Sequence, residues 1–129
     1  MSHVKTISPE RAVELMKQGA ALIDIRDTHE YANENIPGAR HYALSQIDAS
    51  HPVRAGDTVL IYHCKSGGRT NANARRLAAA SGKCDVYLLG RGIEAWKRAG
   101  LPTSASAGHA ANDSRPQPGF LGRLSALFR

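Results

Sequence analysis

Three short stretches of this chain are apolar almost without interruption, and helical patterns lie between them. They are Ala21-Leu22-Ile23-Asp24-Ile25, Thr58-Val59-Leu60-Ile61-Tyr62 and Val86-Tyr87-Leu88-Leu89. A strand with one wet face alternates apolar and polar residues, whereas a strand apolar throughout is buried on both faces. Such strands interleaved with helices predict an α/β fold: a mostly parallel sheet with helices on both faces. The helices are legible too. Ser8 can cap the first free N–H groups and Pro9 suits the first helical position, with Ala12, Leu15 and Met16 at helical spacing and Gly19 as the stop. Residues 28–35 read as a polar helix closed by Ile36-Pro37-Gly38, residues 70–81 as an alanine-rich helix, and residues 93–99 as a last helix. A short strand at residues 39–41 and a small helix at residues 44–47 complete the pattern. The 129 residues suffice for one such domain with a core of its own.

In a sheet of this kind ligands sit where strand C-termini meet helix N-termini. One junction carries unusual chemistry. After Tyr62 the chain reads His63-Cys64-Lys65-Ser66-Gly67-Gly68-Arg69-Thr70 and then enters a helix. Gly67 and Gly68 let the backbone curl so that successive N–H groups point inward as an anion-binding nest. The following helix start, Lys65 and Arg69 add positive charge. Each of these favours the thiolate over the thiol, and the thiolate is the nucleophile. Cys64 is therefore the candidate catalytic residue, and Lys65, Ser66, Gly67, Gly68, Arg69 and Thr70 are the candidate substrate cradle. The bland alternative, a buried small hydrophobe in an ordinary turn, does not explain why a nest and two cations converge on one thiol. Cys84 opens a strand without a cationic cluster and reads as core.

This loop resembles the active-site loop of the rhodanese family, the thiosulfate sulfurtransferases. Three other segments resemble the family's motifs in the same order. They are Leu22-Ile23-Asp24-Ile25-Arg26 with Glu30-Tyr31, then Ile36-Pro37-Gly38-Ala39, then Gly92-Ile93-Glu94-Ala95-Trp96 with Ala99-Gly100-Leu101-Pro102. The resemblance spans about residues 5–102, and it departs at two positions. Asn35 stands where the family usually has His, and Arg91 where the first Gly of a Gly-Gly pair is expected. The resemblance implies a five-stranded sheet and a double displacement without metal or organic cofactor. Cys64 would take sulfane sulfur from thiosulfate or another small anionic donor, hold it as a persulfide, and pass it to a thiol (small molecule or protein) or to cyanide. It also associates the C-x4-R spacing from Cys64 to Arg69 with sulfur, and the longer C-x5-R with the related phosphatases. A phosphatase or arsenate reductase on a similar loop, and a persulfide carrier without turnover of its own, are the alternatives.

Other residues carry less. Arg69 either meets the anion or pairs with Glu30 or Asp24, leaving backbone N–H groups to bind. Asp24, inside an apolar strand, needs partners, and Arg26 and the loop backbone are at hand. His63 is a poor base for Cys64, because neighbours on a strand face opposite ways; it reads as a satisfied histidine beneath the loop. His3, His29, His41, His51 and His109 show no metal-ligand spacing, and Trp96 reads as a core anchor.

Composition bounds what remains. The net charge of +6 favours anionic partners, yet 5% aromatics and the lack of a Lys/Arg-rich run argue against nucleic acid. Two cysteines exclude a disulfide framework. No apolar run reaches the length of about 18 that a transmembrane helix needs, and residues 1–10 are too polar for a secretory signal, so a cytoplasmic location is expected. The domain is expected to occupy residues 1–102. Residues 103–119, rich in Ser, Ala, Gly, Asn and Pro, read as a flexible linker. Residues 120–129 form a short basic tail with Phe120, Leu121, Leu124, Leu127 and Phe128 at helical spacing, suited to docking on a protein or an anionic membrane surface.

Overall fold

The computed structural model describes residues 4–53 and 59–105. The expected linker beyond residue 105, the tail at residues 120–129, Thr58 and His109 lie outside the described residues.

A five-stranded sheet forms the centre. Its strands are β1 (Lys5–Ile7), β2 (Ala21–Asp24), β3 (Arg40–His41), β4 (Val59–His63) and β5 (Asp85–Leu89), in the order β1-β5-β4-β2-β3. Every neighbouring pair is parallel. The helices are α1 (Pro9–Lys17), α2 (Thr28–Asn33), α3 (Gly68–Ala72), α4 (Ala74–Ala80) and α5 (Gly92–Arg98), with one 3-10 turn at Leu44–Gln46. The predicted α/β class with a mostly parallel, five-stranded sheet is what the structure shows.

Strand alternation sorts the core into two layers. Leu22, Ile61 and Leu89 pack with Ala12, Val13, Leu15, Ile93 and Trp96, under α1 and α5. Ala21, Ile23, Leu60, Tyr62, Val86 and Leu88 pack with Leu77 and Ala80 of α4 on the opposite face. Both faces are thus covered, which is why the strands carry no polar alternation. Trp96 is fully buried and donates from its indole N–H to Pro102 O at 2.8 Å.

Two elements differ from the sequence expectation. The periodicity did not reveal β1, a three-residue edge strand whose first two residues are exposed. The alanine-rich helix begins at Gly68 and breaks at Asn73 into α3 and α4. There the Asn73 side chain donates to Arg69 O at 2.8 Å, competing with the helical ladder, and its own N–H is shared between the Arg69 and Thr70 carbonyls.

The topology positions a site. The chain leaves β2 toward β3 at one edge and leaves β4 toward β5 in the other direction. The carboxyl ends of β2 and β4 therefore flank a switch point, the place where open parallel sheets form a crevice. Cys64 follows β4 at that point, and Ile25 and Arg26 follow β2.

Candidate active site

Cys64 is 1% exposed and lies on the α4 side of the sheet. The chain then curls around its sulfur. Gly67, at φ 99°, turns its N–H toward Sγ at 3.2 Å. Thr70, buried, brings Oγ1 to 3.8 Å from Sγ while donating to Gly67 O at 3.1 Å. Burial pushes the thiol up. The backbone N–H of Thr70, its hydroxyl, and the backbone N–H groups of Gly67 and Arg69 outweigh burial and hold the group below the ordinary thiol value. Lowering comes from a convergent set of amides around one sulfur atom.

Of the two parts the sequence leaves open for Arg69, the structure shows the pairing with a carboxylate. The Arg69 guanidinium makes a two-pronged pair with Glu30, Nη1 to Oε1 at 2.6 Å and Nη2 to Oε2 at 2.9 Å. Lys65 and Ser66 are exposed, as is Gly68, the first residue of α3. Of the six cradle candidates, Gly67 and Thr70 reach the sulfur most directly, Arg69 through its backbone, and Lys65 through none of the hydrogen bonds seen at Sγ. Glu30, for its part, closes a capping box with Asp27 at the start of α2. Arg69 holds the Glu30 carboxyl well below its usual range, at about 2.

Beneath the loop lies a buried polar group from β2 and β4. Asp24 accepts from the Arg26 backbone N–H and from its guanidinium at 2.8–3.2 Å, and Arg26 also donates to Glu34 O. Asp24 finds its partner in Arg26 and not in the Cys64 loop. His63 is fully buried, and its Nδ1 lies 3.1 Å from Cys64 O. It is not the satisfied histidine the sequence suggests: Nε2 has no hydrogen-bond partner, and the nearest carboxylate, Asp24 Oδ2, is 3.6 Å away. Burial outweighs that carboxylate and keeps the imidazole below its ordinary pKa. His63 meets the Cys64 carbonyl and not the sulfur.

Sequence reasoning missed what fixes the loop from behind. At the start of α5 the Ile93 N–H donates to Cys64 O at 3.0 Å, and the Glu94 N–H donates to Lys65 O at 3.1 Å. Gly92, at φ 55°, sits so close to those two carbonyls that a Cβ there would collide with both. The signal was present as a glycine between a buried strand and a helix, but only contact distances reveal what it touches. Arg91 precedes it at φ 59°, the one positive-φ residue other than glycine among the described residues. Asn35, the other departure from the family pattern, is structural. Its backbone pairs with Ser104 and its side chain donates to Tyr31 O at 2.9 Å.

Cys84 is half-buried, beside the first residue of β5. Val59 pairs with Asp85 and Tyr62 with Leu88, so Cys84 lies at the opposite end of the sheet from Cys64. At about 3.3 Å per residue the two thiols are on the order of 15–20 Å apart, far beyond disulfide reach.

The family model of the Rhodanese-like domain matches residues 8–99. A thiosulfate sulfurtransferase GlpE of Pseudomonas fluorescens strain SBW25 is 36% identical over 115 residues, covering 85% of this chain and 99% of the relative. Among solved structures, a thiosulfate sulfurtransferase of Pseudomonas aeruginosa superposes with a TM-score of 0.66 at 28% identity, over 81% of this chain and 20% of that one. The Alr3790 protein of Anabaena sp. gives a TM-score of 0.66 at 20% identity, over 84% of this chain and 99% of the other, a likeness of fold.

Proposed function

We propose, from the premise that the chain belongs to the rhodanese-like domain family, that it works by double displacement through Cys64. The protein is an enzyme of the thiosulfate sulfurtransferase type, with a small sulfur donor as substrate. In the first half-reaction the Cys64 thiolate attacks the outer sulfur of thiosulfate. A bond forms between Sγ and that sulfur, and the bond to the sulfonate sulfur breaks with its electron pair, releasing sulfite. In the second, a thiolate or cyanide attacks the outer persulfide sulfur, and the pair of the broken S–S bond returns to Sγ. Both half-reactions pass negative charge through one site, so the same N–H groups of Gly67, Arg69 and Thr70 serve each.

The observation that carries this reading is the closeness of the ring: a Gly67 N–H at 3.2 Å from a sulfur that is 1% exposed. A loop that closes on one sulfur atom suits a persulfide. A phosphoryl group brings three equatorial oxygens and needs a wider bowl. Arg69, which a phosphate would require as a free guanidinium, is committed to Glu30. The test is mass spectrometry after thiosulfate treatment, with the expected result one added sulfur atom on Cys64 and none in Cys64→Ser. Hydrolysis of an aryl phosphate without persulfide formation would overturn the reading. The linker at residues 103–119 and the docking of the tail at residues 120–129 belong to the same proposal. Among the described residues no helix is long and apolar enough to cross a membrane.

A further inference from the structure

A cleft of about 480 Å³ lies on one side of the nucleophile loop, with Ser66, Asn71, Arg91, Glu94 and Arg98 among its walls. Ser66, two positions after Cys64, is the loop residue that lines it. The Gly67 N–H is 3.2 Å from Cys64 Sγ. The Arg91 backbone N stands 3.2 Å from where a Gly67 Cβ would be, and the Asn71 amide nitrogen 3.7 Å from the same point. Gly67 thus stands between Cys64 Sγ and the Arg91 backbone, the rim that the loop and the cleft share. Both guanidiniums belong to exposed residues. Among the described residues neither lies in an ion pair, unlike Arg11, Arg26 and Arg69, each of which has a carboxylate. Two cations and one carboxylate, Glu94, line this cleft. Arg91 also occupies a backbone conformation that disfavours any side chain, so an arginine there carries a cost that glycine would not.

Resting on the persulfide reading above, we propose that this cleft is the acceptor subsite, and that it selects a small thiol bearing carboxylate groups. The carboxylates meet Arg91 and Arg98, and Ser66 and Asn71 supply neutral hydrogen-bonding groups between them and the loop. The acceptor thiolate attacks the outer sulfur of the Cys64 persulfide and forms the new S–S bond. The old S–S bond breaks, its electron pair stays on Cys64 Sγ, and the acceptor leaves as a persulfide anion. No oxidant or further reactant enters, and the proton of the acceptor thiol goes to solvent before attack.

The experiment compares two acceptors at saturating thiosulfate: mercaptosuccinate, a dicarboxylate thiol, and 2-mercaptoethanol, which is neutral. Their kcat/KM ratio is measured in the native protein, in the double variant Arg91→Ala/Arg98→Ala and in Arg91→Lys/Arg98→Lys. Loss of a charge-assisted contact lowers the ratio about tenfold in the alanine pair, and the lysine pair keeps most of it. Arg98→Ala alone, at an exposed helix position, gives part of the same fall and keeps the test readable if the pair does not fold. An unchanged ratio overturns the subsite, including the case where both acceptors weaken equally. Persulfide mass on Cys64 is read in parallel. Persulfide with an unchanged ratio removes the subsite and leaves the sulfur-transfer reading standing; absence of persulfide in the native protein removes both.

Discussion

Arg91 and Gly92 are adjacent, both lie at positive φ, and they respond to substitution in opposite ways. Arg91→Gly relieves the left-handed strain and loses some of that gain to the greater freedom of the unfolded chain. The expected outcome is a stabilisation of about 0.5–1 kcal/mol in urea unfolding. Gly92→Ala drives a Cβ into the Cys64 and Lys65 carbonyls and costs at least about 2 kcal/mol. It should also slow thiosulfate turnover, since those carbonyls are the base of the loop. The candidate nucleophile has its own signature. With its pKa held below the ordinary thiol value, Cys64 stays thiolate at pH values where a free thiol is protonated, and reactivity falls only as pH drops through the lowered pKa. Alkylation rate against pH should therefore inflect below about 8.5, and Thr70→Val should move the inflection upward. At this scale the sequence made Cys64 and its glycines legible, because a thiol, two glycines and a helix start are adjacent in the chain. It left Arg69 open between substrate and Glu30, since the deciding partner is 39 positions away. It credited the charges of Lys65 and Arg69 alongside the amides, and could not tell that the backbone N–H groups and the Thr70 hydroxyl make the largest lowering contributions.

Elements show where local pattern suffices. Strands β2, β4 and β5 were readable from their buried runs, and α1 from Ser8, whose hydroxyl accepts from the Arg11 N–H at 3.1 Å. Strand β1 was not, since an edge strand paired only with β5 has no buried run to betray it; its pairing of Ile7 with Leu89 is a long-range fact. The break at Asn73 was hidden for the converse reason: a side chain bonding its own helix leaves the apolar spacing intact. Between elements, the Arg69–Glu30 pair joins α3 to α2. The Glu30 carboxyl sits at about 2, below its ordinary 4.5. Its contribution is therefore complete above pH 4.5 and lost as pH falls toward 2. Both side chains are partly exposed, so screening reduces the effect to on the order of 1 kcal/mol. Glu30→Gln should cost about that much at neutral pH and flatten the acid limb of stability over the same window, read by thermal unfolding against pH.

Across the whole molecule, the described contacts run slightly past the motifs. Trp96 reaches Pro102, Thr103 Oγ1 donates to Glu34 Oε2 at 2.8 Å, and Ser104 pairs with Asn35. The front of the expected connector is thus attached to the domain, a detail that Ser and Thr in a polar run do not announce. A chain ending at residue 105 should keep full stability and thiosulfate turnover. One ending at residue 102 should lose about 1–2 kcal/mol with the hydrogen bonds of Thr103 and Ser104. The order of the strands gives the switch point, and the switch point gives the crevice, so the placement of Cys64 was foreseeable once the sheet was known to be parallel. The amides that α5 presents to the loop carry a further meaning. They come from the last helix of the domain, some thirty positions after the cysteine whose carbonyl they grip. A ribosome-bound chain that has emerged only as far as β5 therefore has the thiol and its glycines but not the brace that holds them in register. In such a chain the loop amides have no fixed aim, so the set of N–H groups that lowers the Cys64 thiol pKa is held in place only once α5 has been made.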